Sequence, residues 1–537
     1  MDAQLLIKNG LIIDGSGGKP YHGDLAISGE QIQALGDLST WSSRQIIDAR
    51  GLAVTPGFIN MLSWACEPLI ADGRSQSDLR QGVTLEVMGE GFSYGPLNDA
   101  LKAELVKHQG DIRYEIEWTT LGEYLAYLER RGISTNVASF VGAGTLRAYV
   151  LGEENRPASP QELAKMQALL RQSMLEGAVG LSSALIYVPE CFYSTQELVD
   201  LAKVAAAFGG MYISHIRNEA DRLVEAVDEL IEIARQADIR AEIYHLKVAG
   251  RANWDKLQQV IDRVEAVRQE GLEISADMYN YPAASTGLDA AMPPWVQEGG
   301  HDAWVKRLQD PVIRQRVLQE MTQPSPDWES AYLNAGSPER VLFVNFKNPD
   351  LKPLTGMTLD EIARQRNKSP EETILDLVVE DNSRVGTVYF SMSEENLRQQ
   401  VQLPWMSFCS DAGSMAPEGV FLQSSTHPRA YGSFARLLAK YVRDEGLLSL
   451  EEAVRRLTSL PADNLRLQQR GRLQPGFFAD IVVFDPQTIQ DHATFAQPHQ
   501  YASGVEHVLV NGVPVIQDGQ HTGATPGRAV FGPAKHG

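Results

Sequence analysis

Two histidines, His215 and His245, each follow a short apolar run, and the two runs read MYIS and AEIY. The segment between them is predicted to be an amphipathic helix, with apolar residues at helical spacing: Leu223, Ala226, Val227, Leu230, Ile231 and Ile233. Parallel strands joined by a crossover helix end at the same edge of a sheet, so both imidazoles can reach one point. That arrangement favours a metal site. Two histidines hydrogen-bonded within a core are the alternative.

Both ends of the chain alternate like short strands. Residues 3–54 contain the runs QLLIKNGLIIDGSG, DLAISGEQIQALG and RQIIDARGLAVTPG, in which Asn9-Gly10 and Gly29 mark turns. Residues 471–485 and 504–520 show the same pattern. We therefore predict one small β-sandwich domain built from residues 1–54 and 469–537.

The middle of the chain, residues 55–468, alternates predicted strands and helices, which is typical of an α/β fold and here predicts a TIM (β/α)8 barrel. The run MSFCSDAGS at 406–414 is the candidate last strand. Residues from about 283 to 345 have weaker periodicity and several prolines and glycines. This segment is predicted to be an insertion that covers the barrel mouth.

The chain has 537 residues, 43% hydrophobic residues and a net charge of −21, which is spread along its length. A barrel with insertions accommodates this size, and the negative charge argues against nucleic acid and anionic membranes as partners. No apolar run reaches membrane-spanning length, and the first residues, MDAQLLIKNG, do not read as a signal sequence. The three cysteines show no pairing pattern. A cytoplasmic location is expected, and an oligomer is compatible with the composition.

Eight motifs occur in order along the chain: PGFIN, GVTLEVMGEG, YISHIRNE, YHLKVAGRANW, CSDAG, THPRAYGSFARLL, LTSLPADNL and GRLQPGFFADIVVFDP. Together they resemble the N-acyl-D-amino-acid deacylases, or D-aminoacylases, of the amidohydrolase superfamily. The resemblance covers essentially the whole chain. It implies a metal-bearing TIM barrel with a sandwich made from both termini, and hydrolysis of the N-acyl amide of a D-amino acid.

The metal-binding positions of that family are altered here. Where the family usually carries His-x-His after the first barrel strand, this chain has Leu62 and Trp64, which offer zinc no lone pair. As alternate residues of one strand, both are expected to face the barrel mouth. Glu90 replaces a metal-binding cysteine of many deacylases, and two histidines with one glutamate form a known catalytic zinc set.

We therefore expect a single Zn²⁺ held by His215, His245 and Glu90, with Glu86 as the weaker competitor for the third ligand. Asp411 matches the family's catalytic aspartate. A carboxylate beside an activated water can take its proton and pass it to the leaving amine. The alternative role for Asp411 is a helix N-cap.

A substrate with a free carboxylate needs cationic and hydroxyl partners. Lys247 follows His245 by two residues and lies on the same strand face if the strand continues. Arg429 in THPR and Tyr281 in YNYP match the family positions that hold the carboxylate, and the arginine fork can bind both oxygens. Surface charge and simple packing are the alternatives for these residues.

Four further residues have weaker or different assignments. Ser285 and Tyr187 are weaker candidates for the same pocket. His427 is equally compatible with a structural contact, and Cys409 is expected to be a small core residue.

The combined prediction is a zinc-dependent amidohydrolase acting on N-acyl-D-amino acids as small-molecule substrates. Two alternatives stay open at this point. One is a related amidohydrolase that acts on a cyclic amide or an unusual dipeptide. The other is a non-catalytic protein that has kept the fold.

Overall fold

The computed structural model describes residues 1–535. In chain order, its strands are β1 (Asp2–Ile12), β2 (Tyr21–Ser28), β3 (Gln31–Gly36), β4 (Ser42–Asp48), β5 (Ala53–Pro56), β6 (Phe58–Asn60), β7 (Val83–Met88), β8 (Asn136–Ser139), β9 (Val141–Gly142), β10 (Gly180–Ala184), β11 (Met211–His215), β12 (Ala241–Ile243), β13 (Ile274–Met278), β14 (Ala284–Gly287), β15 (Val341–Asn345), β16 (Gly386–Tyr389), β17 (Met406–Phe408), β18 (Ile481–Phe484), β19 (Val505–Val510), β20 (Val513–Gln517) and β21 (Gln520–His521).

The α-helices are α1 (Cys66–Ala71), α2 (Gln76–Leu79), α3 (Asp99–His108), α4 (Leu121–Arg131), α5 (Ala143–Leu151), α6 (Pro160–Glu176), α7 (Thr195–Ala207), α8 (Leu223–Ala237), α9 (Leu257–Gln269), α10 (His301–Gln309), α11 (Pro311–Glu320), α12 (Ala331–Ala335), α13 (Leu359–Arg366), α14 (Pro370–Asp381), α15 (Glu394–Gln400), α16 (Arg429–Arg436), α17 (Leu450–Leu457) and α18 (Ser459–Asn464). A π-helical segment, Leu437–Asp444, continues α16.

Strands from both ends of the chain form one nine-stranded sheet, in the order β21-β20-β19-β18-β5-β1-β2-β3 with β4 beside β1. β5 is the link, because it pairs with β1 on one side and with β18 on the other. Alternate apolar residues of these strands, such as Leu5, Ile27 and Ile481, pack into a common core. The two ends of the chain are therefore held together by backbone hydrogen bonds.

A second group of strands, β6 to β13 and β17, is parallel and buried. They form a six-stranded sheet, β17-β13-β12-β11-β10-β9, and a three-stranded sheet, β6-β7-β8. The two sheets adjoin at both edges, since only Phe140 separates β8 from β9 and the Met61 backbone N–H donates to Phe408 O at 3.3 Å. Apart from β8 and β9, successive strands are connected by segments that contain helices. The predicted α/β class with parallel strands is confirmed.

The helix between the two histidine strands forms as its apolar spacing predicts. In α8, all six of the apolar residues at that spacing are buried. His215 is the last residue of β11, and His245 follows the end of β12 by two residues. β11 and β12 are adjacent and parallel, so both histidines lie at the same sheet edge.

Residues 284–389 form a unit that borders the carboxyl ends of the parallel strands. Its antiparallel sheet has the order β14-β16-β15, and helices α10 to α14 lie within it. It has its own hydrophobic core, from Leu288 to Tyr389. The unit therefore extends well past residue 345, where the sequence analysis placed the end of the insertion. α13 and α14 have ordinary helical patterns, which do not show which core a helix joins.

Among residues 1–535, no helix has both the length and the apolar character that crossing a membrane requires.

A buried polar network ties the nine-stranded sheet to the parallel strands. Asp480 Oδ1 accepts from the Asn511 backbone N–H at 2.8 Å and from Asn136 Nδ2, in β8, at 3.2 Å. Arg470 completes the network as an ion-pair partner of Asp480, and both side chains are buried. The contact between the two regions thus includes an ion pair that is largely shielded from water.

We expect Asp480→Ala to lower the free energy of unfolding by about 3–5 kcal/mol, because it leaves the buried Arg470 cation without its partner. Asp463→Ala is the matched control. It removes an ion pair with Arg472 at the surface, which is worth roughly 0–1 kcal/mol. Urea denaturation of both variants measures the difference, and equal losses would show that the buried pair has no special role.

Candidate active site

A cavity of about 1050 Å³ lies at the carboxyl ends of the parallel strands. Parallel α/β folds place their reactive residues at this edge. The predicted ligands Glu90, His215 and His245 and the predicted catalytic residue Asp411 all line the cavity. The strand ends thus bring together residues that are far apart in the sequence.

Glu90, His215 and His245 form a compact three-donor centre. Glu90 Oε1 lies 3.1 Å from His215 Nδ1 and 2.8 Å from His245 Nε2. The candidate ligand atoms of the three residues all lie within 4.8 Å of one another, and all three side chains are buried. Gly91, with φ +61°, makes the turn after Glu90, where a Cβ would come within 2.3 Å of Glu190 Oε1.

The donor set fits a zinc ion. Two imidazole nitrogens and one carboxylate oxygen are a common protein ligand set for catalytic zinc, which leaves a position for water or substrate. Among the described residues, the buried Nε2 of His215 has no hydrogen-bond partner. Leaving a buried polar atom without a partner costs free energy, and coordination of a metal ion would give this nitrogen a partner.

Charge compensation explains the ionisation of this centre. Burial opposes ionisation of Glu90, but the positive charge of His245 and the hydrogen bonds from both histidines outweigh it and hold the pKa of Glu90 well below its usual range. Burial lowers the pKa of His215, against the opposing pull of Glu219. A deprotonated carboxylate and a neutral imidazole are the forms that bind metal.

The residues at the family's His-x-His positions differ from each other in placement. Trp64 lines the cavity, and its indole Nε1–H donates to Glu90 Oε2 at 3.1 Å. Leu62 is fully buried in the main hydrophobic core and does not line the cavity. The expectation that both face the barrel mouth was therefore wrong for Leu62. β6 ends at Asn60, so regular alternation does not hold beyond that residue.

Glu86 lies outside the three-donor centre. Its carboxylate accepts from Ser63 Oγ at 2.7 Å, from Thr135 Oγ1 at 3.1 Å and from Ser75. Burial raises its pKa. Glu86 is thus held in a separate hydrogen-bonded cluster behind β6.

Asp411 lies against Arg429 at the edge of the cavity. Asp411 Oδ2 is 2.8 Å from Arg429 Nη1, and both side chains are buried. The Asp411 backbone N–H donates to Leu62 O at 2.9 Å. Burial raises the pKa of Asp411, while the Arg429 charge opposes that rise. No α-helix begins at Asp411 in the described chain, so the N-cap alternative has no support.

Arg429 retains hydrogen-bonding capacity. Within residues 1–535, its buried Nε and Nη1 have no partner with hydrogen-bond geometry, and Nη2 reaches Ser285 O at 3.4 Å. Its guanidinium also lies 4.4 Å from the centre of the Tyr279 ring. A buried guanidinium with unused donors at a cavity is suited to an incoming carboxylate.

Lys247 lines the cavity but already has partners. Its Nζ donates to Glu219 Oε1 at 2.7 Å and lies 2.5 Å from His245 Nδ1. Glu219 Oε2 is also 3.5 Å from His215 Nε2. Glu219 was not among the site residues predicted from the sequence. Its position four residues after His215, within the motif YISHIRNE, was the available signal.

The predicted carboxylate contact of Tyr281 is not supported, because its side chain does not line the cavity. Its ring packs against His427 and Phe495, at centroid distances of 5.3 and 6.4 Å. Tyr279 lines the cavity instead. Both tyrosines follow the end of β13, where strand alternation no longer predicts which of them points inward.

The weaker candidates lie around the cavity. Ser285 and Tyr187 both line it, and the Tyr187 hydroxyl is 2.7 Å from Thr286 Oγ1. His427 also borders it, but both ring nitrogens contact backbone groups, of Ala283 and Arg429, which supports the structural role.

Cys409 is fully buried, and burial raises the pKa of its thiol well above the usual value. A thiol in that state is an inert core group, as expected.

The parallel α/β fold and the centre of two histidines and one carboxylate define a metal-dependent amidohydrolase, and residues 424–516 match the amidohydrolase family model. The chain is 32% identical to a D-aminoacylase of Alcaligenes xylosoxydans xylosoxydans, over 98% of this chain and 97% of that protein. The chain therefore belongs to the D-aminoacylase family.

Two solved structures show the same similarity. An N-acyl-D-glutamate deacylase from Bordetella bronchiseptica, complexed with zinc and a phosphonate inhibitor, is 29% identical with a TM-score of 0.82, over 99% of this chain and all of that chain. The second is a D-aminoacylase with a binuclear metal centre, for which one-metal activation and second-metal attenuation are described. It is 31% identical to this chain with a TM-score of 0.81, over 98% of this chain and all of that chain.

We expect Arg429→Met to lower the free energy of unfolding by about 3–5 kcal/mol near neutral pH, because Asp411 would keep a buried charge without its cation. The loss should be smaller near pH 4, about the pKa of an exposed aspartate, since a protonated carboxyl needs no cation. Urea denaturation at both pH values measures this difference.

Arg436→Met is the control for this prediction, because its ion pair with Asp491 is longer, at 3.4 Å, and less buried. A loss for Arg429→Met that is independent of pH would contradict the assigned pairing.

Proposed function

We propose that the protein is a single-zinc hydrolase that removes the acyl group from N-acyl-D-amino acids. In this proposal the parallel strands of residues 55–468 form a TIM (β/α)8 barrel, and residues 1–54 and 469–537 form the second domain. The observation that carries the proposal is the centre formed by Glu90, His215 and His245 beside Asp411, in a chain from the D-aminoacylase family.

Glu90, His215 and His245 would hold the zinc, which when bound supplies a Lewis acid that activates water and polarises the scissile carbonyl. Their burial keeps bulk water away from the site. Low local polarity strengthens each charge interaction there. The protein's part is therefore to present one carboxylate and two imidazoles with their orientation already set. Although burial opposes it, the carboxylates of Glu90 and Glu219 raise the pKa of His245 to about 10, so His245 must give up its proton for the metal to bind.

Asp411 would move the proton. Water attacks the carbonyl carbon, the C–N bond breaks, and the proton taken by Asp411 passes to the leaving amine nitrogen. Burial raises the pKa of Asp411, which makes its carboxylate a better base, and the nearby Arg429 keeps it ionised. These opposing effects suit a group that must both accept and release a proton.

The charged side of the cavity would bind the substrate carboxylate. Arg429 has unused donors, and Ser285 and Lys247 line the same cavity. Tyr279 takes the place that was assigned to Tyr281 on the sequence. Because Lys247 is bound to Glu219, we assign Arg429 the larger share of the carboxylate contact.

The cavity lining also has an apolar side, which includes Trp64, Phe92, Leu101 and Leu105. With the carboxylate at Arg429, this side would receive the acyl group. Burying apolar acyl carbons contributes roughly 0.8 kcal/mol for each CH₂ group. The proposal therefore includes a preference for apolar acyl groups over charged ones.

A substrate panel tests the function. The zinc-loaded protein would be assayed with N-acyl-D-amino acids carrying neutral and acidic side chains, their L-enantiomers, hydantoins and β-aspartyl dipeptides. We expect hydrolysis of the D-enantiomers and release of the free amino acid. Faster opening of hydantoins would support a cyclic-amide hydrolase instead, and no turnover on any substrate would support a non-catalytic protein.

We expect Asp411→Asn to retain zinc and to lose roughly a hundredfold or more in turnover, because an amide cannot shuttle the proton. Glu190→Gln is the matched control. Glu190 also lines the cavity, and burial raises its pKa to about 8, so an uncharged glutamine resembles its neutral form. Near-normal turnover of Asp411→Asn, with the control unchanged, would remove Asp411 from the chemistry.

We expect about one tightly bound zinc per chain, because Leu62 and Trp64 cannot act as metal ligands. The double variant Leu62→His with Trp64→His should not gain a second metal. It should lose a few kcal/mol of stability, since it puts a polar ring into the core in place of the fully buried Leu62. Elemental analysis, thermal melting and turnover test this, and a stable, faster enzyme with two metals would contradict it.

A further inference from the structure

Trp64 is held in place from two directions. Its backbone N–H donates to Ala412 O at 3.0 Å, next to Asp411 in the loop that follows β17. The preceding residue, Ser63, donates its backbone N–H to Val87 O in β7 at 2.8 Å. The segment is therefore hydrogen-bonded both to the loop that carries Asp411 and to the strand that leads to Glu90.

The indole of Trp64 contacts one particular atom of the three-donor centre. Its Nε1–H donates to Glu90 Oε2 at 3.1 Å, while Glu90 Oε1 faces both histidines. The indole N–H can only donate, so this contact cannot reverse its polarity. Glu90 is almost fully buried, with 6% of its surface exposed, and among the described residues the indole is the donor that bonds to its Oε2.

We propose that Trp64 is a positioning residue for the metal centre. Its N–H occupies Glu90 Oε2, which leaves Oε1 as the oxygen presented between His215 and His245. The inference rests on the metal site of the proposed function, but it concerns how that site is held rather than what it hydrolyses. Partners that orient a ligand in this way typically contribute 10–100-fold in metal affinity, by general experience with such sites.

Removing the N–H would leave Oε2 without a partner. A free second oxygen could then enter the coordination sphere or rotate the carboxylate away from the histidines. Either change alters the number or the arrangement of the ligands. This consequence separates a positioning role from simple packing, because packing alone would change stability without changing the ligand geometry.

The test compares three variants of the full chain with the unaltered protein. Trp64→Phe keeps an aromatic ring and removes the N–H, and Trp64→Leu is a second variant whose side chain has no donor. Trp328→Phe is the matched control, since Trp328 also lines the cavity but is not a partner of Glu90. Thermal melting of the metal-free proteins establishes that each variant is folded.

Zinc dissociation constants would be measured by competition with a chelator. We expect zinc to bind both Trp64 variants about 10–100-fold more weakly and the Trp328 control unchanged. Equal affinity in Trp64→Phe, Trp64→Leu and the unaltered protein would overturn the proposal. Failure of the unaltered protein to bind zinc would overturn both this proposal and the metal site on which it rests.

Cobalt(II) would replace zinc as a spectroscopic probe, because its visible absorption reports the number and geometry of the ligands. The Trp64 variants should show altered bands, and the Trp328 control should match the unaltered protein. Identical spectra in all variants would count against the positioning role. Normal zinc and cobalt results, with no turnover on any acyl-D-amino acid, would support the role of Trp64 and overturn the proposed function alone.

Discussion

The active-site edge depends on keeping one carboxylate charged in a place that water scarcely reaches. Burying an isolated charge is costly, so Glu90 must be surrounded by donors and cations. His215, His245 and Trp64 supply those partners from three separate strand ends. The order of the parallel strands, and the turns that end them, are what bring these groups together around a single carboxylate.

Buried charges farther from the three-donor centre also need partners. Lys247 and Glu219 compensate each other behind His245, and Arg429 compensates Asp411 across the cavity. Each of these buried charges thus has a partner of opposite sign. This pattern leaves Arg429, with its unused donors, as the cation best placed for a further anion. Substrate recognition is then an extension of the charge pairing that the folded protein already needs.

The sequence was sufficient to predict the features that depend on regular residue spacing. Helical spacing between the two histidine strands, and the shared edge of parallel strands, predicted the meeting of His215 and His245, and Glu90 lies with them. Two residues lie elsewhere than the sequence predicted. Leu62 was expected to face the barrel mouth by alternation, but β6 ends at Asn60. Tyr281 was assigned by its match to a family position, whereas Tyr279 lines the cavity. Glu219 was not predicted, because its spacing from His215 alone does not show that a carboxylate in the loop after β11 turns back toward the two histidines.

The nine-stranded sheet has a consequence for the order in which the chain can fold. β5 pairs with β18, which lies more than four hundred residues later, so the sheet cannot be completed until nearly all of the chain has left the ribosome. Until then, β5 has an unpaired edge, which is a template for wrong pairing with other chains. Contacts between segments so distant in sequence also slow folding. Synthesis of this protein is therefore expected to depend on chaperones more than synthesis of a protein whose sheets close locally.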